Sequence, residues 1–434
     1  MTEHVIVRRG AYYDSVTLML VSRAAGASVG MATPLNLELL ARQGFSIDED
    51  VTPNDLVIAI RADDPEAVLA AVDEQLSAKA QVTATRERAP ARSLTAAARR
   101  DPELSLAFLS IPGDHVAHEA ATALAAGLHV FCFSDGVSLE DEARLKRTAA
   151  ERGLLFMGAD CGTAILDGVG LGFANAVRRG PVGIVGASGT GIQEVCCLLD
   201  AAGVGVSHAI GVGGRDLSAE VGGLMMRRGL ELLARDEGTE TIVVISKPPD
   251  PEVARAIEEA AEATGKPVVL GFGLTLEEAA RAAAGDALPA FEERLNRAPV
   301  AGDVRGLYSG GTLCGEAERI VGRGTFTDFG ADEYTEGRAH PMIDPSLRLE
   351  HLAAASEPVL LLDVVLGYGA HPDPASELAP VIEGLDKHVI VALCGAAGDP
   401  QGLDAQRSGL EAAGAVVTRS NAHAARLAKE ASGG

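Results

Sequence analysis

Val182-Gly183-Ile184-Val185-Gly186-Ala187-Ser188-Gly189-Thr190-Gly191-Ile192-Gln193-Glu194-Val195 decides how the rest of the chain is read. An apolar run of strand character enters a turn of small residues, and a helical pattern follows at once. Small residues let free backbone N–H groups at a helix start approach an anion. The helix dipole and the hydroxyls of Ser188 and Thr190 add to the attraction. Two nucleotide readings fail on spacing. A Walker A loop needs Lys and then Ser or Thr directly after its last glycine, whereas Ile192 and Gln193 follow Gly191. The GxGxxG dinucleotide spacing is absent too, and no acidic residue stands at a second strand end in the ribose-binding role. What remains is a site for phosphate or an acyl phosphate at Ala187, Ser188, Gly189 and Thr190.

Outward from this turn, Pro181 to Ala284 alternates strand and helix: VGIVG, IQEVCCLLDAAG, SHAIGVGG, GLELLARD, TIVVISK, PEVARAIEEAAEATG, PVVLGFG. This rhythm predicts a flavodoxin-like parallel unit. Val304 to Ala428 reads as a second copy. It opens on RGLYSGGTLCGEAERIV, so Ser309, Gly310, Gly311 and Thr312 stand where the first turn stood. Paired pseudo-symmetrically, the two helix starts aim at one anion. Gly285 to Asp303 is the linker. Upstream, LAFLSIP, HVAHEAATALAAG, LHVFCFS, SLEDEARLKRTAAERG and LLFMGAD predict a doubly wound half-sheet. Before it, HVIVRR, the helical YYDSVTLMLVSRAAG and LNLELLARQG, and DLVIAIRA predict a small α+β domain. The Arg/Ala-rich stretch from Ala84 to Arg100 reads as a solvated helix or linker. The expected domains are therefore 1–86, 100–168, 180–285 and 303–430.

Open α/β sheets bind ligands at their strand C-termini, and further candidates fall there. Gly213 and Gly214 precede Arg215, whose guanidinium suits a carboxylate or phosphate. Lys247 follows TIVVIS. In the second copy, Asp363 and the segment with Gly369 and His371 lie in or just past VLLLDVV, and a His beside an Asp serves as acid, base or anion donor. Gly395 and Ala396 follow HVIVALC and close the same mouth. Arg215, Lys247 and His371 are the catalytic candidates. No His/Cys/Asp spacing suits zinc, and HVAHE is not HExxH.

With 434 residues the chain exceeds one ordinary core, and 47% hydrophobic content with 3% aromatic and 50 Gly suits buried parallel strands crossed by Ala-rich helices. A formal charge of −24 disfavours nucleic acid and anionic membrane as partners. Six cysteines without a CxxC pair read as reduced thiols. The first residues lack the apolar core of a signal peptide, so a cytoplasmic protein is expected.

RRGAYYDSVTLMLVS, AGLHVFCFSDGVSLEDEARLK, MGADCGTAI, GIVGASGTGIQEV, SHAIGVGGRDLS, LYSGGTLCGEA and DVVLGYGAHPDPA, in this order along nearly the whole chain, resemble the FdrA proteins. These are relatives of the succinyl-CoA synthetase α-subunit and other acyl-CoA ligases. The resemblance implies an α/β fold: a Rossmann-like, CoA-binding-type half-sheet plus two flavodoxin-like, succinyl-CoA-synthetase-type domains in pseudo-symmetric arrangement, with the small N-terminal domain in front. In that superfamily the turn matched by Ser188-Gly189-Thr190 starts a helix facing a phosphorylated histidine, and a second helix comes from the turn matched by Gly310-Gly311-Thr312. Here, however, PVVLGFG continues as LTLEEAARAAAG, without the ligases' histidine, and no ATP-grasp domain or clear CoA-loop glycine motif is evident. FdrA proteins are associated with purine and ureide breakdown, as a subunit of an oxamate-type carbamoyltransferase. The resemblance thus implies carbamoyl phosphate or phosphate as ligand in preference to CoA, and other subunits as partners. An ADP-forming acyl-CoA synthetase component and a non-catalytic anion-binding scaffold are the alternatives.

Overall fold

The computed structural model describes all residues except 1, 12, 14–16, 20, 23–25, 48–49 and 84–90. The chain divides into two compact units, Met1–Ala91 and Arg92–Gly434. In the first, β1 (Thr2–Arg8), β2 (Ser28–Met31), α1 (Pro34–Arg42), β3 (Leu56–Ala62) and α2 (Pro65–Thr83) build an antiparallel sheet in the order β1-β3-β2. Thr33 caps α1 by accepting from the Asn36 N–H, with Pro34 preset in the first turn. The apolar Leu-Val-Ile-Ala-Ile of β3 is buried because β3 is the central strand. The expected helix over YYDSVTLMLVSRAAG falls in large part outside the described residues, as does the first part of the Ala84–Arg100 stretch.

The second unit opens with α3 (Leu94–Arg100), β4 (Leu106–Leu109), α4 (Gly113–Ala125), β5 (His129–Cys132), α5 (Leu139–Glu151) and β6 (Phe156–Met157). Its three strands form the predicted parallel half-sheet, β4-β5-β6. Next comes a hairpin, β7 (Thr163–Leu166) and β8 (Val169–Gly172). Asp167 and Gly168 turn it, with φ of 52° and 81°. Two left-handed residues in a two-residue loop match the twist of the flanking strands. This hairpin was not foreseen, and it adds to the sheet of the first flavodoxin-like copy and not to the half-sheet before it.

That copy consists of β9 (Arg179–Gly186), α6 (Gly189–Ala201), β10 (Val206–Gly211), α7 (Leu224–Arg235), β11 (Thr241–Ile245), α8 (Pro251–Glu262), β12 (Val268–Leu270) and α9 (Leu276–Ala284). The sheet order is β12-β11-β9-β10-β7-β8. The second copy comprises β13 (Val304–Tyr308), α10 (Gly311–Val321), β14 (Thr325–Asp328), α11 (Asp332–Thr335), α12 (Ser346–Ala354), β15 (Val359–Val365), α13 (Pro374–Glu383), β16 (His388–Cys394), α14 (Leu403–Ala412), β17 (Val416–Thr418) and α15 (Asn421–Ala431). Its parallel order is β14-β13-β15-β16-β17. Counted within each copy, both sheets run 2-1-3-4, and the second adds a fifth strand. This is the flavodoxin-like order, whose switch point lies between strands one and three. The glycine turns leave the first strand of each copy, β9 and β13, and therefore sit at that point. The apolar runs VLLLDVV and HVIVALC are buried throughout, as central parallel strands with both faces covered must be.

A buried exchange between the copies makes the pseudo-symmetry concrete. The helices after the two turns begin Gly189-Thr190-x-x-x-Glu194 and Gly311-Thr312-x-x-x-Glu316. Glu194 on α6 accepts from the Asn421 N–H, the first residue of α15, at 2.7 Å. Glu316 on α10 accepts from the Leu276 N–H, the first residue of α9, at 2.7 Å. Each copy thus satisfies an orphan amide on the last helix of the other. Asn421 joins the two glutamates, donating from Nδ2 to Glu316 at 2.8 Å.

Burial pushes the Glu194 carboxyl up to about 8, so it is neutral over most of the ordinary pH range. The sign follows from proton uptake. A carboxyl raised in the folded state contributes stability that is complete below its unfolded value and is lost as pH rises through the folded one. Glu194→Gln keeps an acceptor for Asn421 and cannot ionise. Its melting temperature is expected to hold between about pH 5 and about pH 9 while the wild type falls by several degrees more. Parallel melting curves across this range would show that Glu194 is not a buried neutral acid.

Candidate functional site

The two glycine turns touch. Ser188 Oγ and Thr312 Oγ1 are hydrogen-bonded at 2.6 Å, and Ser188 Oγ also accepts from the Gly191 N–H at 3.0 Å as the cap of α6. The reciprocal contact joins Gly310 to Thr190: a Cβ on Gly310 would lie 2.6 Å from the Thr190 side chain. Glycine at 310 is therefore required by the close approach, although its backbone conformation suits any residue. Unlike α6, α10 has no side-chain cap, so its first-turn amides keep their attraction for an acceptor. Ala187 to Thr190, Gly311 and Thr312 are half-buried, and Gly310 is buried. Gly189 packs against β7, where a Cβ would stand 3.2 Å from Thr163 Oγ1, a buried hydroxyl without a hydrogen-bond partner.

Beside the first turns of α10 and α9 lies a cavity of about 300 Å³, bounded by the ends of β11 and β12. Ser246, Lys247, Thr275, Thr312, Glu316 and Arg319 supply its polar lining. Of the three cationic or His candidates, Lys247 alone reaches this region. Its ammonium opposes the charge of Asp328 at the end of β14.

The remaining candidates are placed elsewhere. Arg215 pairs with Glu142 at 2.7 Å and donates to the Val137 carbonyl at 2.8 Å. Glu142 in turn pairs with Lys146 at 2.8 Å, and Lys146 with Asp216 at 3.0 Å, all three fully buried. Arg215 thus completes an ionic joint between α5 and the turn before α7, and Gly213 is needed there because its φ is 79° and a Cβ would meet Ala159 O at 2.5 Å. Gly214 shares the turn, with its Cβ position 3.9 Å from Ala187 O. Ser309 faces inward: its N–H and hydroxyl both donate to Asp363, at 2.8 Å each. Asp363 lies inside β15, fully buried, and pairs with Arg348 at 2.6 Å. It tethers the second turn from below and is not at the mouth. His371 is buried on the loop before α13, where Nδ1 accepts from the Asp373 N–H at 3.0 Å and its own N–H donates to Met342 O. Gly369 flanks Phe173. Gly395 O accepts from Arg419 at 2.9 Å, and the Ala396 N–H donates to Asp399 at 2.8 Å. Asp399 also accepts from Asn175 and the Ala176 N–H, so the Gly395–Asp399 turn clamps the segment leading into β9. All six cysteines are free and buried, and burial pushes the Cys132, Cys161 and Cys314 thiols up to about 12.

Sequence reasoning missed Asp328. Its Oδ1 accepts from the Gly330 N–H at 2.9 Å, and Oδ2 lies 2.5 Å from where a Cβ would stand on Gly311. The signal was its place at the end of TFTD, the second strand of the second copy.

Three family descriptions match the chain: the AllF heavy metal-associated domain over residues 1–92, the CoA binding domain over 177–272, and the CoA-ligase domain over 307–431. The first name implies a metal, and the residues do not fit one. Residues 1–92 contain no cysteine and a single histidine, His4, and no group of three His, Cys, Asp or Glu that could hold an ion occurs among the described residues. The uncharacterized protein YahF of Escherichia coli (strain K12) is 37% identical, covering 99% of this chain and 98% of its own. The mitochondrial succinate–CoA ligase [ADP-forming] subunit alpha-2 of Trichomonas vaginalis is 30% identical, over 34% of this chain and 48% of that protein. The chain spans about half the length of that ligase subunit. The apo dinucleotide-forming acetyl-coenzyme A synthetase 1 of Ca. Korarchaeum cryptofilum aligns with a TM-score of 0.33 at 16% identity, over 76% of this chain and 82% of that one, which is too low to bear on function. With an AllF-type front domain, CoA-binding and CoA-ligase domains behind it and a full-length relative in YahF, the chain belongs to the FdrA-type family.

Proposed function

We propose that this chain is the phosphate-holding subunit of a cytoplasmic carbamoyl- or acyl-transferase that works with other subunits, in purine or ureide catabolism. The observation that carries the reading is the 2.6 Å hydrogen bond between Ser188 and Thr312, which brings the starts of α6 and α10 to one point. The phosphate of carbamoyl phosphate sits between them, on the first-turn amides of α6 and α10 and the hydroxyls of Thr190 and Thr312. Two helix N-termini stabilise negative charge most where it grows, on the departing phosphate. A cavity of about 300 Å³ beside the start of α10 is at the small end for a ligand pocket and suits a small acyl group. Lys247 stands at its edge. The segment Gly271–Asp303 carries no histidine, which favours a diffusible acyl phosphate over a phosphorylated enzyme.

The second reading is a component of an acid–CoA ligase, favoured by the CoA-binding and CoA-ligase matches. It requires a phosphorylatable histidine, and His371 is on a different loop, with Nδ1 committed to Asp373. Calorimetric titration separates the two. Carbamoyl phosphate is expected to bind, to lose at least about tenfold in affinity in Ser188→Ala/Thr190→Ala, and to find no counterpart in CoA. Tight CoA binding untouched by those substitutions would reverse the order of the readings.

A further inference from the structure

Asp328 is a carboxylate placed against an anion cradle, an arrangement that weakens phosphate binding unless the carboxyl has work to do there. Its Oδ2 fills the space a side chain at Gly311 would need, so it borders the first turn of α10. Oδ1 is held by the Gly330 N–H at 2.9 Å. The charged and titratable groups that act on it are Asp363, Lys247 and Cys314 of α10, and beside it lies His340, whose Nε2 is 2.8 Å from the same Gly330 Cβ position that Asp328 Oδ1 approaches at 3.1 Å. His340 is kept neutral by burial, down to about 4.

We propose that Asp328 is the proton-transfer residue of this site. The proposal rests on the acyl-phosphate reading above. As the N–H nucleophile of the acceptor forms its bond to the acyl carbon, the Asp328 carboxylate takes the proton that nitrogen loses. The bond from that carbon to the bridging oxygen breaks, and its electron pair leaves with the phosphate. Asp328 then passes the same proton to the phosphate, which departs as hydrogen phosphate, and the carboxylate is restored. Burial and Asp363 push its carboxyl up to about 6, near the range in which one group serves as base and then acid.

The test uses sulfate, a dianion throughout, titrated into the full chain from about pH 8 to about pH 5. Wild-type affinity is expected to rise at least about tenfold on acidification as Asp328 becomes neutral. Asp328→Asn, which keeps the acceptor for Gly330, is expected to bind sulfate tightly at both ends with little change. In the reconstituted enzyme it cuts kcat by about 100-fold or more. Identical pH profiles for wild type and variant, or undiminished turnover, overturn the proposal and leave the cradle standing. Absence of sulfate binding to the wild type at every pH overturns the cradle and the proposal together. If the Asn variant unfolds, Asp328→Ser gives the same readout.

Discussion

Gly310→Asp is expected to abolish phosphate and carbamoyl phosphate binding. The new Cβ would stand 2.6 Å from Thr190, inside van der Waals contact, and forces the two turns apart. Overpacking of this kind costs about 1–3 kcal/mol. The added carboxylate then faces the anion itself. At about 4 Å and an effective dielectric of about 20, like charges repel by about 4 kcal/mol, which corresponds to roughly a thousandfold in affinity. Gly310→Ala carries the steric part alone and separates the two effects. It should lose part of the binding and part of the melting temperature, whereas Asp loses nearly all binding. Unchanged calorimetric affinity in Gly310→Asp would mean that the anion sits elsewhere.

Lys146→Met is expected to destabilise the second unit by about 3–5 kcal/mol, read by denaturant unfolding. Lys146 is fully buried between Glu142 at 2.8 Å and Asp216 at 3.0 Å and also donates to Val212 O at 2.8 Å. Methionine fills the volume and leaves two buried carboxylates, with Arg215 the remaining partner of Glu142. Asp216 cannot simply be neutralised as well, because its oxygens accept from the Met225 and Met226 N–H groups at the start of α7. Adding Glu142→Gln to Lys146→Met should therefore recover only part of the loss. A Lys146→Met protein as stable as wild type would show that Glu142 and Asp216 are solvated and do not depend on the lysine.

These two residues also mark where the sequence was legible. The turn at Gly310 could be read because strand, Gly-Thr step and helix are contiguous, and the stretch at Ser188 repeats them. The parallel order of β9–β12 and of β13–β17 followed from the same local rhythm. The role of Arg215 could not be read, because an Arg after two glycines fits a ligand as well as it fits Glu142, 73 positions earlier in the chain. Ser309 failed for the same reason: Asp363, which holds it, lies in another strand. The Asp167-Gly168 hairpin is legible from its dipeptide. The crossed capping by Glu194 and Glu316 emerges only when the copies face each other, although their shared place, five residues after Gly189 and Gly311, was in the sequence.

The most direct test of the paired-turn cradle is a crystal of this chain soaked in selenate, with the anion located by the anomalous scattering of selenium. The account predicts one strong peak between α6 and α10, within hydrogen-bond reach of amides from both first turns and of the Thr190 or Thr312 hydroxyl. A peak at the Gly213–Asp216 turn or beside His371, with none between the two helix starts, would contradict it.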